Sequence, residues 1–487
     1  MRGVLAFDLG ASSGRGVYTT LINDKLEMKE VNRFSDYTIR QNNSLRWDIK
    51  KIFKEIDRGI IKAHSLGKVE SIAVNTWGVD FGLLNENNQL IENPYHYRDL
   101  RTKGYSDKVE KVINSSELYK RTGIQNMEIN TIYQLMALKN ERPDVYNKVN
   151  KILLMPDLIN FYLTGEIYSE RTIASTTQLY NPQLKDWDYE LIDKLGLKAS
   201  IFPKIIDSGK VIGELRSELA EKLDISPMPI VSIASHDTAS AASCTPSEKK
   251  GNLFLSSGTW SLMGTTIDEP ILTEKAYKYN MANETGMNNK ITFLKNITGL
   301  WLLQETKQQF KKEGKNYTYS ELAQLALKTE SIECYFDTEL TELTVPGNIP
   351  RRIQMFAKKT GQKVPETDGQ LVRTIYENLA LKYRVAYEDI VQSVGYTFNN
   401  IYIVGGGSNA DFLSQCTANA LNLNTYAGYN EATALGNSLT QIETLKMLST
   451  EKENILTNSF NLKLFKPRNI DEWNKKYKKY IEIIENN

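Results

Sequence analysis

Three strand-like runs stand back to back at the start of this chain. Val4–Leu9, Gly16–Ile22 and Leu26–Phe34 alternate apolar and polar residues, parted only by short polar turns such as Asn23-Asp24. Alternation of that kind predicts consecutive antiparallel strands. Ile49, Ile52, Phe53, Ile56, Ile60 and Ile61 then recur at helical spacing across Trp47–His64, and another strand follows at Glu70–Asn75. After a helical, polar middle segment, Pro229–Ala234 predicts one more strand, which ends at His236-Asp237. The second half repeats this order. Gly251–Ser256 and Trp260–Ile267 read as a hairpin, Thr292–Lys295 as a third strand, and Leu371–Val394 as a long helix. A strand at Asn400–Val404, a glycine turn with a helix, a strand near Thr425 and a helix from about Ala432 complete it. No sequence identity links the halves, so the duplication rests on element order. Two α/β units of like design with a cleft between them is the architecture it predicts.

At 487 residues the chain is too long for one ordinary core. Thr-Pro-Ser-Glu-Lys-Lys-Gly at the Pro246–Gly251 region breaks the pattern and divides it into expected domains 1–245 and 246–487. Hydrophobic residues at 41% and charged residues at 24% fit a soluble globular protein. The formal charge of +1 argues against nucleic acid or an anionic membrane as partner. The first apolar run is broken by Asp8, too early for a secretory segment, and no apolar stretch approaches membrane-spanning length. Cys244, Cys334 and Cys416 are scattered and odd in number, which points to a reducing cytoplasm. The lysine-rich Trp473–Ile484 reads as an amphipathic helix with its charges on a solvated face.

Four motifs could carry chemistry. In Asp8-Leu9-Gly10-Ala11-Ser12-Ser13-Gly14-Arg15, a strand-end carboxylate precedes a turn of glycine and small hydroxyl residues. Such a hairpin can aim backbone N–H groups and Ser hydroxyls at phosphate oxygens, with Asp8 placed to hold hydrated Mg²⁺ and Arg15 to neutralise phosphate charge. An ordinary glycine hairpin is as good a reading of this motif alone. Ser256-Ser257-Gly258-Thr259-Trp260 opens the second half in the same way, and the two loops could grip a polyphosphate from both sides of the cleft. Gly405-Gly406-Gly407 after a strand is not the spaced glycine pattern of a dinucleotide site, but it lets a flat adenine or ribose approach the backbone. In Asn75-Thr76-Trp77-Gly78-Val79-Asp80-Phe81, Trp77 and Phe81 offer apolar faces to a sugar and Asp80 an acceptor for hydroxyls. Beside a strand these aromatics fit a core as readily. The His236-Asp237 pair at a strand-to-helix junction is either catalytic or, for Asp237, a helix cap.

Taken in order, these motifs resemble the FGGY family of carbohydrate kinases, built on the actin-like ATPase fold. The stretches that carry the resemblance are DLGASSGR (Asp8–Arg15), TWGVDF (Thr76–Phe81), YRDLRT (Tyr97–Thr102), MPD (Met155–Asp157), SHDTAS (Ser235–Ser240), SSGTWSLMG (Ser256–Gly264), KNITGLWLLQ (Lys295–Gln304) and VGGG (Val404–Gly407), so it spans nearly the whole chain. One departure is Asn283-Glu284-Thr285-Gly286, where the family pattern leads one to expect Asn-Glu-Gly-Gly. The resemblance implies two actin-like, ribonuclease H-like α/β domains around a deep cleft, and ATP-dependent, Mg²⁺-assisted phosphorylation of L-rhamnulose at its C1 hydroxyl by a cytoplasmic monomer or homodimer. It implies Asp237 as catalytic base. It implies sugar contacts from Gly78, His236, Thr238 and Asn296, beside Trp77 and Asp80. Nucleotide contacts would come from Ala11, Ser12, Ser13, Gly14, Arg15, Thr259, Gln304 and Gly406, with Gly407 in the same turn. Whether His236 shares the base role, and in which tautomer, stays open at this level. Another ketose such as fuculose or xylulose, or glycerol, is the nearest alternative substrate; a non-kinase actin-like nucleotide-binding protein is the alternative of a different class.

Overall fold

In the computed structural model, which describes residues 2–246 and 249–486, β1 (Arg2–Leu9) is buried from Gly3 to Leu9. It is apolar almost throughout because it lies inside a sheet with neighbours on both edges. β2 (Ser13–Ile22) and β3 (Lys25–Ser35) follow as an antiparallel meander, and β4 (Lys68–Thr76) pairs parallel to β1 on its other edge. β5 (Lys210–Glu214) and β6 (Pro229–Ser232) complete a six-stranded sheet of order β5-β6-β4-β1-β2-β3. The register sets Asp8 opposite Arg15 and beside Asn75, so three polar side chains share one end of the central strands. Helix α1 (Ile49–His64) is capped by Asp48, whose side chain accepts from the Lys51 N–H at 3.0 Å. It buries Ile49, Ile52, Ile56 and Ile60, each worth roughly 1.5–3 kcal/mol of burial, while Ile61 stays half-exposed.

The chain divides into two compact units: Met1–Cys244, Thr266–Phe293 and Ala432–Phe460 form the first, and Thr245–Thr265, Leu294–Glu431 and Asn461–Asn487 the second. The chain first passes between the units after Cys244, one residue before the expected break at 245/246, and it passes again at four further places. Ser247 and Glu248, inside the expected boundary, lie outside the described residues. The middle of the first unit is helical as expected but not polar throughout. It holds its own apolar cluster, in which Phe81, Tyr133, Leu135, Tyr180 and Trp187 are buried.

Helix α2 (Asp237–Ala242) ends the first unit's first segment. In the second unit, β7 (Asn252–Ser257) and β8 (Trp260–Ile267) form an antiparallel hairpin. The chain returns to the first unit for β9 (Ala282–Thr285); β10 (Ile291–Thr298) starts there and runs into the second unit, where α3 (Trp301–Lys312) and the long α4 (Asp368–Val394) follow. β11 (Asn400–Val404) then pairs parallel to β7, and α5 (Asp411–Leu421) leads to β12 (Asn424–Tyr429), parallel to β11. Within this unit the strand order is β10-β8-β7-β11-β12, with a short β13 (Lys463–Phe465) at the edge. That is the order β3-β2-β1-β4-β6 of the first sheet, with β1·β2 and β7·β8 both antiparallel and the two pairs beyond β1 and beyond β7 all parallel. The duplication inferred from element order is therefore real at the level of topology.

The terminal helix, Ile470–Glu485, is amphipathic, but its lysines are not all solvated: Lys476 is buried 3.3 Å from buried Glu377 and 3.1 Å from Glu472. Burial without those carboxylates would be prohibitive. No helix among the described residues is long and apolar enough to cross a membrane.

Helix α6 (Ala432–Thr444) belongs to the first unit although it follows the strands of the second. Polar side chains stand among the apolar ones it buries. Asn437 donates to Asn75 Oδ1 at 2.7 Å and to the Ala73 carbonyl at 3.2 Å; Gln441 donates to the Leu5 carbonyl at 3.1 Å and accepts from Ser71 at 2.7 Å. These groups are fully buried and mutually bonded, which fixes the helix on the sheet in one register. Gly436 lets α6 touch α2: a Cβ there would stand 2.1 Å from the Ser240 carbonyl oxygen. The small residues of α2 serve this contact. Gly436→Ala is expected to lower the melting temperature by several degrees, since forced overpacking costs about 1–3 kcal/mol, and to lower kcat as well because α2 carries Asp237. Thermal denaturation and steady-state kinetics check both.

Candidate active site

β4 and β6 end side by side, and the segments beyond them meet. The Thr76 N–H donates to the Ser235 carbonyl at 2.9 Å, and Thr76 pairs in parallel with His236. Buried Glu170 holds this crossing, accepting from the Ser235 N–H (3.2 Å) and hydroxyl (2.6 Å) and from the Thr172 N–H (3.0 Å) and hydroxyl (2.5 Å). The backbone leaves the crossing at His236, which occupies the cap position of α2 in extended conformation and makes no side-chain capping bond. Asp237 is the first helical residue, so the reading of Asp237 as the cap is corrected: one residue earlier takes that slot. Its side chain is 32% exposed while the rest of α2 is buried, and it accepts from the Thr238 hydroxyl at 3.2 Å.

The His236 ring is 9% exposed and lies between two carboxylates, Nε2 3.3 Å from Asp237 Oδ1 and Nδ1 3.2 Å from Glu284 Oε2. Burial works against a charged ring, but Glu284, Asp237 and Glu170 outweigh it and raise the pKa to about 9. Desolvation pushes the Asp237 carboxyl above the ordinary range; His236 opposes this and the Asp8 carboxylate adds to it. Asp8, in turn, accepts from Arg15 Nε at 2.9 Å and Nη2 at 2.6 Å, both on Oδ2. The turn between them closes with the Gly10 N–H donating to the Ser13 carbonyl at 2.9 Å, leaving Ala11 and Ser13 half-buried and Ser12 exposed.

Asp80 is the hub of the aromatic side. Its fully buried carboxylate accepts from Trp47 Nε1 (2.7 Å), Trp77 Nε1 (3.0 Å) and the Tyr97 N–H (3.1 Å) on one oxygen, and from Gln134 (2.8 Å) on the other. Desolvation raises its pKa to about 6, against the pull of these donors. Both oxygens are thus engaged by protein groups, which gives Asp80 the work of fixing the wall of the site. Trp77 stands 4.1 Å from Trp47 between ring centroids, and His96 stacks on Trp47 at 4.0 Å. Trp77 is 6% exposed, and Gly78 next to it is half-buried against Thr176. Val79 holds a positive φ of 69°, a strained state for a β-branched residue. Its N–H donates to Thr176 and its carbonyl accepts from Thr131 at 2.6 Å, which secures the turn.

In the second unit, the Ser257–Trp260 turn accepts the start of α3: the Leu300 N–H donates to the Gly258 carbonyl at 2.9 Å and the Gly299 N–H to the Thr259 carbonyl at 3.1 Å. The Thr259 hydroxyl donates to Gln304 Oε1 at 3.2 Å, joining two residues expected at the nucleotide. The three glycines after β11 have three different reasons. Gly405 has φ +78°; a Cβ on Gly407 would lie 2.0 Å from Ser257 Oγ; a Cβ on Gly406 would meet no atom of the described residues within 4 Å. Two of them are accounted for by the turn, and only Gly406 is left facing open space. Asn296 lies half-buried on β10, in the part of that strand that belongs to this unit.

Sequence reasoning missed Glu284, Glu170, Trp47 and Gln134. Glu284 had a trace, the irregular NETG stretch; Trp47 and Gln134 reach Asp80 from elements that no local pattern connects.

Fold and site together define a two-unit α/β protein with a buried histidine–carboxylate group at the strand ends of its first unit. Solved structures share the fold over nearly the whole chain: a xylulose kinase of Lactobacillus acidophilus (TM-score 0.82, 19% identity, 99% of this chain and 98% of that one) and the glycerol kinase of Plasmodium falciparum (TM-score 0.80, 14% identity, 99% and 98%). Residues 3–244 match the N-terminal domain of the FGGY carbohydrate kinases and residues 253–443 their C-terminal domain. Among curated relatives, the rhamnulokinase of Oceanobacillus iheyensis is 39% identical over 94% of this chain and 97% of its own. Those of Ligilactobacillus salivarius and Bacillus subtilis are 37% identical over 96% of each chain. The chain belongs to the FGGY family of carbohydrate kinases.

Proposed function

We propose that this kinase transfers the γ-phosphoryl group of ATP to the C1 hydroxyl of L-rhamnulose, giving L-rhamnulose 1-phosphate and ADP. One observation carries the choice of sugar: seven relatives at 35–39% identity, matched over 89% or more of their lengths, are all rhamnulokinases.

Phosphoryl transfer asks for alignment and charge neutralisation more than covalent chemistry. Asp237 accepts the proton of the C1 hydroxyl as its oxygen bonds to the γ-phosphorus and the bond to the ADP oxygen breaks; the proton then leaves to solvent. His236, raised to about 9, is a donor near neutral pH and unsuited to act as base. It presents Nε2–H on the side where Asp237 lies, and Thr238, Gly78 and Asn296 supply further sugar contacts. Trp77, fixed through Asp80, gives the sugar an apolar wall. The Gly10–Ser13 turn with Arg15, and Thr259, Gln304 and the Gly406-Gly407 turn, hold the nucleotide. Asp8 suits a hydrated Mg²⁺: Arg15 Nε and Nη2 both donate to Oδ2, and a strand-end carboxylate can accept from a metal-bound water through its other oxygen. When bound, that ion supplies charge neutralisation at the phosphates.

ADP-coupled assays with L-rhamnulose, L-fuculose, L-xylulose, D-xylulose and glycerol test the reading. The expected result is a kcat/KM for L-rhamnulose at least about tenfold above every other, the equivalent of ~1.4 kcal/mol in the transition state. A higher value for xylulose or glycerol would overturn it.

A further inference from the structure

His236 meets a carboxylate at each ring nitrogen, Glu284 at Nδ1 and Asp237 at Nε2. In a neutral imidazole one nitrogen is a lone pair. Whichever tautomer forms, that lone pair would face a carboxylate across 3.2 or 3.3 Å in a site where His236 and Glu284 are both more than nine-tenths buried. Where both neighbours are ionised, only the ring with both N–H groups is compatible with them. Three carboxylates bear on it: Glu284 from β9, Asp237 from its own turn, and Glu170 from the segment before the Arg171–Ser175 helix. Glu170 is already taken up by Ser235, Thr172, Ile173 and Ser208, so it acts on the ring through its field alone. Asp237 must stay free to receive a proton. Glu284 is the one carboxylate at the ring that neither the sugar reaction nor the backbone framework employs.

We propose that Glu284 is a positioning residue for the transfer step, holding His236 by Nδ1 as a double N–H donor whose Nε2 faces Asp237 and the sugar. The proposal rests on the kinase reading with Asp237 as base. It has a second effect: the charged ring opposes the desolvation and the Asp8 repulsion that push the Asp237 carboxyl upward, so Glu284 keeps the base deprotonated through its neighbour. Loss of Glu284 therefore narrows the pH range of turnover from the alkaline side. The ring loses its proton at lower pH, which brings the alkaline limb down from about 9, while the acid limb stays in place because the ring is still charged where Asp237 takes up its proton.

The test compares wild type, Glu284→Gln and Glu284→Asp by kcat against pH with the best ketose, and by histidine NMR. The chain has only three histidines, so the His236 ring is assigned by its loss in His236→Asn. Expected in Glu284→Gln are a ring titration at least about one pH unit lower, the matching shift of the alkaline limb, a kcat loss of about tenfold or more and an unchanged KM for ATP. Glu284→Asp restores part of each, and guards against a Gln variant that fails to fold. A ring titration that does not move, or a kcat loss with the alkaline limb in place, would show a merely structural role. If wild type phosphorylates no ketose, the function reading falls, while the ring titration still decides whether Glu284 holds His236.

Discussion

Asp237→Asn is expected to lower kcat by about 10²–10⁴-fold, the usual loss on removing a general base, while KM for the ketose changes by less than about threefold. Asparagine keeps the shape of the side chain and its bond from the Thr238 hydroxyl but cannot take a proton at neutral pH. The fold is expected to survive. In the folded protein the Asp237 carboxyl is held above its ordinary pKa by desolvation and by Asp8, so the charged form disfavours folding. By linkage, its contribution to stability is full below the unfolded pKa and is lost as pH rises through the folded one. Removing the charge relieves that strain at neutral pH and forfeits the attraction to His236, and the two offset. The melting temperature at pH 8 is expected within a few degrees of wild type. Near-normal kcat would remove Asp237 from the base role; a collapse in melting temperature would reassign its importance to structure.

The order of strands was legible because periodicity is local. β8 and β11 begin and end where alternation predicts, and α6 begins at Ala432 as expected. Which unit an element joins was not legible, because that depends on its partners. Nothing in Ala432–Thr444 announces that Asn437 and Gln441 will bond β1 and β4 rather than strands nearer in the chain. The same holds at the site. Asp237, His236 and Asp8 stand out as charged residues at strand ends, a local signal. Asp80 was visible as a carboxylate in an apolar run, yet its use was not, since Trp47, Tyr97 and Gln134 converge on it from three separate elements. Glu284 reaches His236 from a segment that rejoins the first unit after the chain has entered the second. Burial and long-range pairing decide such roles, and neither has a period.

Gly406 and Gly407 are neighbours, and the structure assigns them opposite sensitivities. Gly407→Ala puts a methyl 2.0 Å from Ser257 Oγ and 2.5 Å from Ser257 Cβ, inside the strand that β11 pairs with. Backbone must move, at a cost of at least about 1–3 kcal/mol, and a fall in melting temperature with loss of soluble protein is expected. Gly406→Val meets no atom of the described residues within 4 Å at its Cβ, and its melting temperature is expected to stay near wild type. The absence of a side chain at 406 then has one remaining physical use, which is to let a ligand lie against the backbone. If the nucleotide lies there, as we propose, Gly406→Val raises KM for ATP by about tenfold or more, equivalent to ~1.4 kcal/mol, and leaves KM for the ketose within about twofold. Calorimetric melting and steady-state kinetics on both variants separate the two roles. A Gly406→Val enzyme with unchanged KM for ATP would move the nucleotide away from this turn, whatever happens to Gly407→Ala.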